Sequence, residues 1–265
     1  MLILSIDVGI KNLAFCLGNI NFDSSLNYIN TNILDWKIID LVETITCQEI
    51  KSCKCNAKFY LTNTDPYNNK QKLFYICNKH SNKYDKNKLN KFKNDNSNAI
   101  SIINLSQKII KSLDKYFLEL FENEKIELKN IDFIIIENQI GPLANRMKSI
   151  KALLTMYFMA NNNFNINYIS SINKLKYFTN QKTNYKERKK KSIEITNNIL
   201  QDNLLEIYKP QNKGLNNIEN ILFPSIKIID NKQKWINEFK NNYKKDDLAD
   251  CLLQLLYFYI EKKNF

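Results

Sequence analysis

The sequence predicts an α/β protein: a mixed five-stranded sheet with flanking helices, interrupted by a small inserted Cys/His module. Three observations lead there. Residues 2–6 and 131–136 are strongly apolar, β-leaning runs broken only by Ser5 and Asp132, the pattern of strands buried on both faces of a sheet. Several other segments repeat apolar residues at spacings of three and four, the period of a helix packed on one side. Residues 43–96 break both patterns and hold four of the six cysteines and the only histidine.

In chain order, the first strand ends at Asp7, where an ionised group must find a partner, a metal or water. Gly9, one of four glycines in the chain, follows it and permits a turn into a second apolar run, residues 13–17. Residues 33–42, with Trp36, Ile38 and Leu41, form a third strand, so three antiparallel strands come in series. Beyond the module and a polar, basic tract (81–96), Ser97 or Asn98 caps a helix over 99–122. Its apolar stripe runs through Ile102, Leu105, Ile109, Leu113 and Phe117. The strand over 131–136 ends in Glu137. A helix follows Gly141-Pro142, with Met147, Ile150, Leu154 and Phe158 on one side, and stops at residues 161–163. Residues 166–169 form the fifth strand. The charge run over 186–191 opens a helix containing Ile193, Ile195 and Ile199. Residues 203–243 are polar, with Pro210 and Pro224, and read as a second insertion or long loop. A last helix covers 246–262. The order βββ-(insert)-αβαβ-α…α gives the fold class.

At 265 residues the chain forms one large domain, 1–265, with the module inserted at 43–96. Thirty-nine Lys and Arg against 27 Asp and Glu leave a formal charge of +12. That charge favours a polyanionic partner, nucleic acid first and an anionic membrane surface second. The scarcity of glycine and the lack of a P-loop or dinucleotide fingerprint argue against a phosphate-cradling enzyme. The apolar start lacks a basic flank and is broken by Asp7 and Lys11, so it does not read as a signal peptide. No stretch is apolar enough to span a membrane. The expectation is an intracellular protein with reduced cysteines. Abundant Asn, Lys and Ile reflect AT-rich coding, so isolated Asn and Lys residues carry little weight.

Two carboxylates, Asp7 and Glu137, end the two most apolar strands. If those strands are parallel neighbours, their ends meet in the crevice where α/β proteins place their sites. The last helix opens with Asp246-Asp247-Leu248-Ala249-Asp250, and Asp247 and Asp250 share a helix face. Taken singly, each has a plain explanation: a turn aspartate, a strand-end salt bridge, partners of a helix dipole. Together, four converging carboxylates in a basic chain call for cations. Two Mg²⁺ ions about 3.5–4 Å apart would turn them into a clamp for phosphodiester cleavage.

The motifs Ile6-Asp7-Val8-Gly9-Ile10-Lys11-Asn12-Leu13-Ala14, Ile136-Glu137-Asn138-Gln139 with Arg146-Met147-Lys148 downstream, Arg188-Lys189-Lys190, and Asp246-Asp247-Leu248-Ala249-Asp250 occur in this order. In that order they resemble the RuvC-like Holliday junction resolvases, most closely the poxvirus and large-DNA-virus branch, with fungal mitochondrial enzymes as relatives. The resemblance covers most of the chain outside 43–96 and 203–243. It implies an RNase H-like fold and a homodimer that uses Mg²⁺ or Mn²⁺, two ions per site, to resolve four-way DNA junctions by paired symmetric nicks. It further implies that Asp7, Glu137, Asp247 and Asp250 bind the metals, and that a catalytic lysine precedes the penultimate core helix. Lys190 fits that lysine, two residues separating it from Ile193, with Lys189 next. Lys11, Arg146, Lys148, Lys186, Arg188 and Lys189, beside these motifs, are assigned to DNA. The implied role is the processing of viral recombination or replication intermediates at a cytoplasmic replication site, or in the mitochondrion or nucleus of a cell.

Cys53-x-Cys55 and Cys77-Asn78-Lys79-His80 offer a closed set of four ligands for one structural Zn²⁺, with Cys47 as a substitute for one of them. Such a site would supply the core that a polar segment lacks. The usual viral resolvase pattern does not need this insert. Cys16 and Cys251 lie in apolar segments and read as core. For the dimer face the candidate is the helix after Glu137, through Met147, Leu154, Met156, Tyr157 and Met159. Competing readings are a transposon-associated or RNA-guided RuvC-like nuclease, whose zinc module falls between later acidic motifs, and a non-catalytic branched-DNA-binding protein. A sugar kinase-like ATPase would need further glycine-rich loops.

Overall fold

The computed structural model describes residues 1–42, 45–53, 55–64, 71–93, 100–138, 145–179, 183–202 and 225–263. The expected cap at Ser97 or Asn98, the Gly141-Pro142 lead into a helix and residues 203–224 lie outside them. The chain forms two compact units, Met1–Leu41 with Ile102–Phe265, and Val42–Ser101.

The first unit is built on a six-stranded mixed sheet. Strands β1 (Leu2–Val8), β2 (Asn12–Asp23) and β3 (Tyr28–Asp40) run antiparallel in series. The β1–β2 turn is tight: a Cβ at Gly9 would sit 2.6 Å from the Asn12 carbonyl oxygen, so only glycine closes it without a shift. After helix α1 (Ile102–Glu124), strand β7 (Phe133–Asn138) joins β1 in parallel. Helix α2 (Asn145–Ala160) then crosses to β8 (Ile166–Ser170), parallel to β7. Helix α3 (Tyr185–Leu200) starts at a capping box in which Asn184 and Glu187 satisfy each other's backbone N–H. Strand β9 (Ser225–Ile228) adds to the far side of β3, followed by helices α4 (Lys232–Asn241) and α5 (Lys245–Lys263). The order is β8-β7-β1-β2-β3-β9.

Six strands replace the expected five. The extra strand and α4 fall in residues 203–243, expected to be a loop. β9 is four residues long and carries Lys227, so its composition hardly speaks for a strand. It forms because it lies parallel to β3, with Ile228 buried. α4 buries only Trp235 and Phe239, one turn apart, and Phe239 stacks on Trp36 at 5.3 Å.

One helix closes the core. Nearly every residue of α5 from Leu248 to Ile260 is buried, the mark of a helix covered all round. Fully burying one leucine or isoleucine contributes roughly 1.5–3 kcal/mol, so this helix offsets the cost of crowding charge at its start. Trp36 donates its indole N–H to the Leu248 carbonyl at 3.0 Å. The buried Gln254 amide donates to Ser5 Oγ (3.1 Å) and to the Ile6 carbonyl (3.2 Å), with the Ile135 carbonyl at 3.5 Å. Those bonds fix α5 over the seam between β1 and β7.

The second unit holds the β4 (Phe59–Thr64), β5 (Gln71–Ile76) and β6 (Asn90–Lys91) sheet, ordered β5-β4-β6 and antiparallel throughout. Its core is small: Cys47, Ile76 and Cys77, with Cys53, Leu61, Phe74, Tyr84 and Leu89 packed against it. A core of that size does not hold 60 residues without a staple.

Candidate active site and metal centre

Strand periodicity aims the first two carboxylates. Asp7 shares its face of β1 with Ile3 and Ser5, and Glu137 shares its face of β7 with Phe133 and Ile135. Ile3, Ile135 and Phe133 pack in the cluster built around α5, and Ser5 bonds Gln254. Because β1 and β7 are parallel with Ile6 opposite Ile136, Asp7 and Glu137 leave the sheet side by side. Asp247, Asp250 and Gln254 lie at i, i+3 and i+7 on α5, so the glutamine that locks the helix to the seam also delivers Asp250 to the same place.

At the centre sits Lys174, in a 3₁₀ turn (Asn173–Leu175) after β8. It is 4% exposed, and its Nζ lies 2.8 Å from Asp250 Oδ2, 3.3 Å from Glu137 Oε1 and 3.7 Å from Asp7 Oδ1. Burial alone would lower the ammonium's pKa, but three carboxylates outweigh it and push the group up. Burial raises the Asp7 carboxyl well above the usual range; Lys174 pulls it back, while Glu137 and Asp250 push the same way as burial. Asp247 is raised by burial and by Asp246. Burial also acts on Asp246, yet its pairing with Lys189 wins and holds it low.

A cleft of about 320 Å³ opens over these groups. Asp7, Glu137, Lys174, Asp247 and Asp250 line it, with a cationic rim of Lys11, Arg188, Lys189 and Lys244. Of the basic residues expected at DNA, Lys11, Arg188 and Lys189 are therefore in the cleft, whereas Arg146, Lys148 and Lys186 do not line it. Lys190 is exposed on α3 and outside the lining; Lys189, one residue earlier, faces inward to Asp246. Sequence reasoning missed Lys174 and Lys244. The donor set of the cluster, all carboxylate oxygens, suits Mg²⁺ or Mn²⁺.

In the second unit the ligand atoms of Cys47, Cys53, Cys77 and His80 all lie within 4.8 Å of one another. Here the expected set is corrected: Cys55 is exposed and outside the group, and Cys47 takes its place. The backbone explains the exchange. Cys47 N–H donates to the Cys55 carbonyl at 2.9 Å beside the Thr46–Asn56 bridge, so Cys55 contributes main chain while Cys47 contributes sulfur. The distances suit a tetrahedral ion. Zn–S near 2.3 Å and Zn–N near 2.05 Å require S···S of about 3.8 Å and S···N of about 3.6 Å. The observed values are 4.0 Å for Cys53–Cys77, and 3.3 and 3.5 Å from His80 Nδ1 to Cys47 and Cys77. Each sulfur also accepts a backbone N–H from two residues on: Glu49 to Cys47, Cys55 to Cys53, Lys79 to Cys77. Such bonds favour the thiolate, but burial and the neighbouring cysteines still leave the Cys47 and Cys53 thiols above their ordinary value. At Cys77, burial raises the thiol, but the N–H groups of His80 and Lys79 help bring it below its ordinary value.

Among known proteins, the family described as mitochondrial resolvase Ydc2 / RNA splicing MRS1 matches residues 3–139. That span includes Asp7 and Glu137 and ends before Lys174, Asp247 and Asp250. No curated protein matches the chain. Among solved structures, the Fowlpox virus resolvase in complex with Holliday junction DNA is 18% identical, with 99% of each chain covered and a TM-score of 0.42. The yeast mitochondrial Holliday junction resolvase Ydc2 is 14% identical, over 98% of this chain and 83% of that one, with a TM-score of 0.45. RuvC of Thermus thermophilus is 9% identical, over 99% and 97%, with a TM-score of 0.45. No described helix is long and apolar enough to cross a membrane.

Proposed function

This chain belongs to the mitochondrial resolvase Ydc2 / RNA splicing MRS1 family and is a Holliday junction resolvase; from that membership we propose that it cuts four-way DNA junctions by paired, symmetric, divalent-metal-dependent nicks. The observation that carries the proposal is the gathering of Asp7, Glu137, Asp247 and Asp250 in one cleft of a chain with net charge +12. A protein that only binds nucleic acid gains nothing from four carboxylates beside its phosphate path, since they repel the ligand. This weighs against a purely binding role.

The four carboxylates would hold Mg²⁺ or Mn²⁺, and two such ions supply an activated water and a sink for charge on the leaving oxygen. The chain's own residues do the rest. Lys11, Arg188 and Lys244 on the rim draw the phosphate backbone in. Lys189, tied to Asp246, stands over the cleft from the start of α3, where a fixed cation can stabilise charge gathering on the phosphate. Lys174 holds the carboxylates together against their mutual repulsion. In this reading Lys189 takes the role that its neighbour Lys190 was expected to fill.

Two opposed cuts need two clefts related by a two-fold axis, hence a homodimer. Of the α2 residues expected at its face, Leu154 is in the core, and Tyr157 bonds Asp114 of α1 at 2.8 Å. Met156 (63% exposed) and Met159 (40%) remain outside, with Phe164 (68%) just beyond the helix. Those three form the proposed face. The test combines light scattering of the free protein with Mg²⁺-dependent cutting of a cruciform plasmid. A dimeric mass and linear product are expected. A monomer making single uncoupled nicks at every concentration sinks the paired-cut reading, and a lack of nicking of synthetic junctions in Mg²⁺ or Mn²⁺ sinks the enzyme.

Zn²⁺ is the proposed ion of the Cys47, Cys53, Cys77 and His80 site, where it staples the second unit. The purified protein is expected to carry about one zinc per chain. Cys47→Ser with Cys77→Ser should lose it, while Cys55→Ser should keep it. Zinc lost in Cys55→Ser and kept in the double variant would reverse the ligand assignment. The place of action is proposed to be intracellular, at a viral replication site or in a mitochondrion or nucleus.

A further inference from the structure

The three-stranded sheet of the second unit has two unlike faces. Phe59 and Leu61 of β4 and Phe74 and Ile76 of β5 point to one side, where Leu61, Phe74 and Ile76 meet the metal-ligand core. Tyr60 and Tyr75, a direct cross-strand pair, point to the other. Their rings lie 6.3 Å apart, and Phe92, just after β6, meets Tyr75 edge-on at 4.8 Å. All three rings are half-buried and contribute nothing to the metal core, and Leu73 beside them is 41% exposed. An aromatic row with no function in its own core is unusual in a segment this polar.

The charge around it is one-sided. Residues 42–101 contain eleven lysines and five acidic residues, so this unit carries half of the chain's net charge of +12. Its described acids are engaged: Glu49 with Lys83 and Tyr84, and Asp85 with the Asn87 N–H. Exposed Lys58, just before β4, shares the Tyr60 side, while exposed Lys72 and Lys91 stand on the two edge strands with the opposite alternation; none of the three has an ion pair among the described residues. Rings at the spacing of adjacent strands, bordered by unpaired cations, fit unstacked bases joined by phosphates. Protein and membrane surfaces also use aromatic rings, but a row of rings at strand spacing beside cations matches the repeat of bases joined by phosphates.

We propose that this face binds single-stranded DNA, stacking bases on Tyr60, Tyr75 and Phe92 while Lys58 contacts the backbone beside the rings and the long side chains of Lys72 and Lys91 reach it round the two sheet edges. The assignment to DNA rather than RNA rests on the resolvase reading; the stacking surface does not. The test uses the full-length, zinc-loaded protein with a 15-nucleotide oligo(dT) carrying a central 2-aminopurine, followed by anisotropy and by the base's own fluorescence. The wild type and Asp7→Asn should bind alike and quench the probe, so a failure of cutting is separable from a failure here. Tyr60→Leu with Tyr75→Leu, which keeps apolar bulk, should abolish quenching and weaken binding at least tenfold with zinc content unchanged. Lys58→Glu with Lys72→Glu should weaken binding at least tenfold and flatten its salt dependence. Wild-type binding and quenching in either double variant overturn the proposal. Tighter binding of oligo(U) than of oligo(dT) overturns the choice of DNA.

Discussion

Asp7→Asn and Glu137→Gln are each expected to lower junction nicking on the order of 10³-fold, about 4 kcal/mol of transition-state stabilisation, while junction binding stays the same or tightens. The substitutions keep shape and remove one negative charge from a cleft holding four carboxylates and a cationic rim. In the proposed mode the rim governs binding to the phosphates, so binding loses a repulsion and nothing else. In the proposed mechanism, cutting depends on cations held by the carboxylates. Single-turnover cleavage of an end-labelled junction, beside a gel-shift titration in EDTA, separates the two effects. Wild-type nicking by either variant removes that carboxylate from the assignment.

Lys174→Met should act first on stability. In the metal-free protein the ammonium compensates three carboxylates at 2.8, 3.3 and 3.7 Å. Removing one member of a buried charge cluster leaves the others unpaired, at a cost of about 3–5 kcal/mol. In a chain of this size that lowers Tm by about 6–20 °C. The sign of the metal effect follows from the same charges. Divalent cations bring back what the ammonium supplied, so Mg²⁺ should raise the Tm of Lys174→Met more than that of the wild type. Melting curves in EDTA and in Mg²⁺ decide it: a variant melting like the wild type in EDTA means that Lys174 does not hold the cluster together.

The strands with strong apolar, β-branched character were legible: β1, β2, β3, β7 and β8 all fall where such runs occur. Asp7 and Glu137 could be placed because parallel strands bring their ends together, and the structure has that pairing. β9 was not legible, because a four-residue edge strand with a lysine in it owes its form to its neighbour rather than to its own sequence. For α4 a signal existed in the Trp235–Phe239 spacing, hidden within a polar stretch. The Cys/His group was legible as a set but not in its membership. Close spacing favoured Cys55, whereas a local β-bridge turned that residue outward and brought in Cys47. Lys174 left no trace at all. One lysine among many in an Asn- and Lys-rich chain carries no mark of its 4% exposure, which arises only when β8 and α5 meet.

The order in which these parts leave the ribosome has its own consequence. Asp7 and Glu137 are synthesised before the helix that carries Asp247 and Asp250 and covers the sheet, Lys245–Lys263. At about 5–20 residues per second, roughly 5–20 s separate Glu137 from that helix. Throughout that interval the growing chain has half of its acidic cluster and an uncovered sheet face. The acidic cluster is therefore incomplete until α5 has been synthesised. A chain truncated before α5 is expected to lose its fold and the proposed cleavage together, since α5 supplies both the cover of the sheet and half of the acidic cluster.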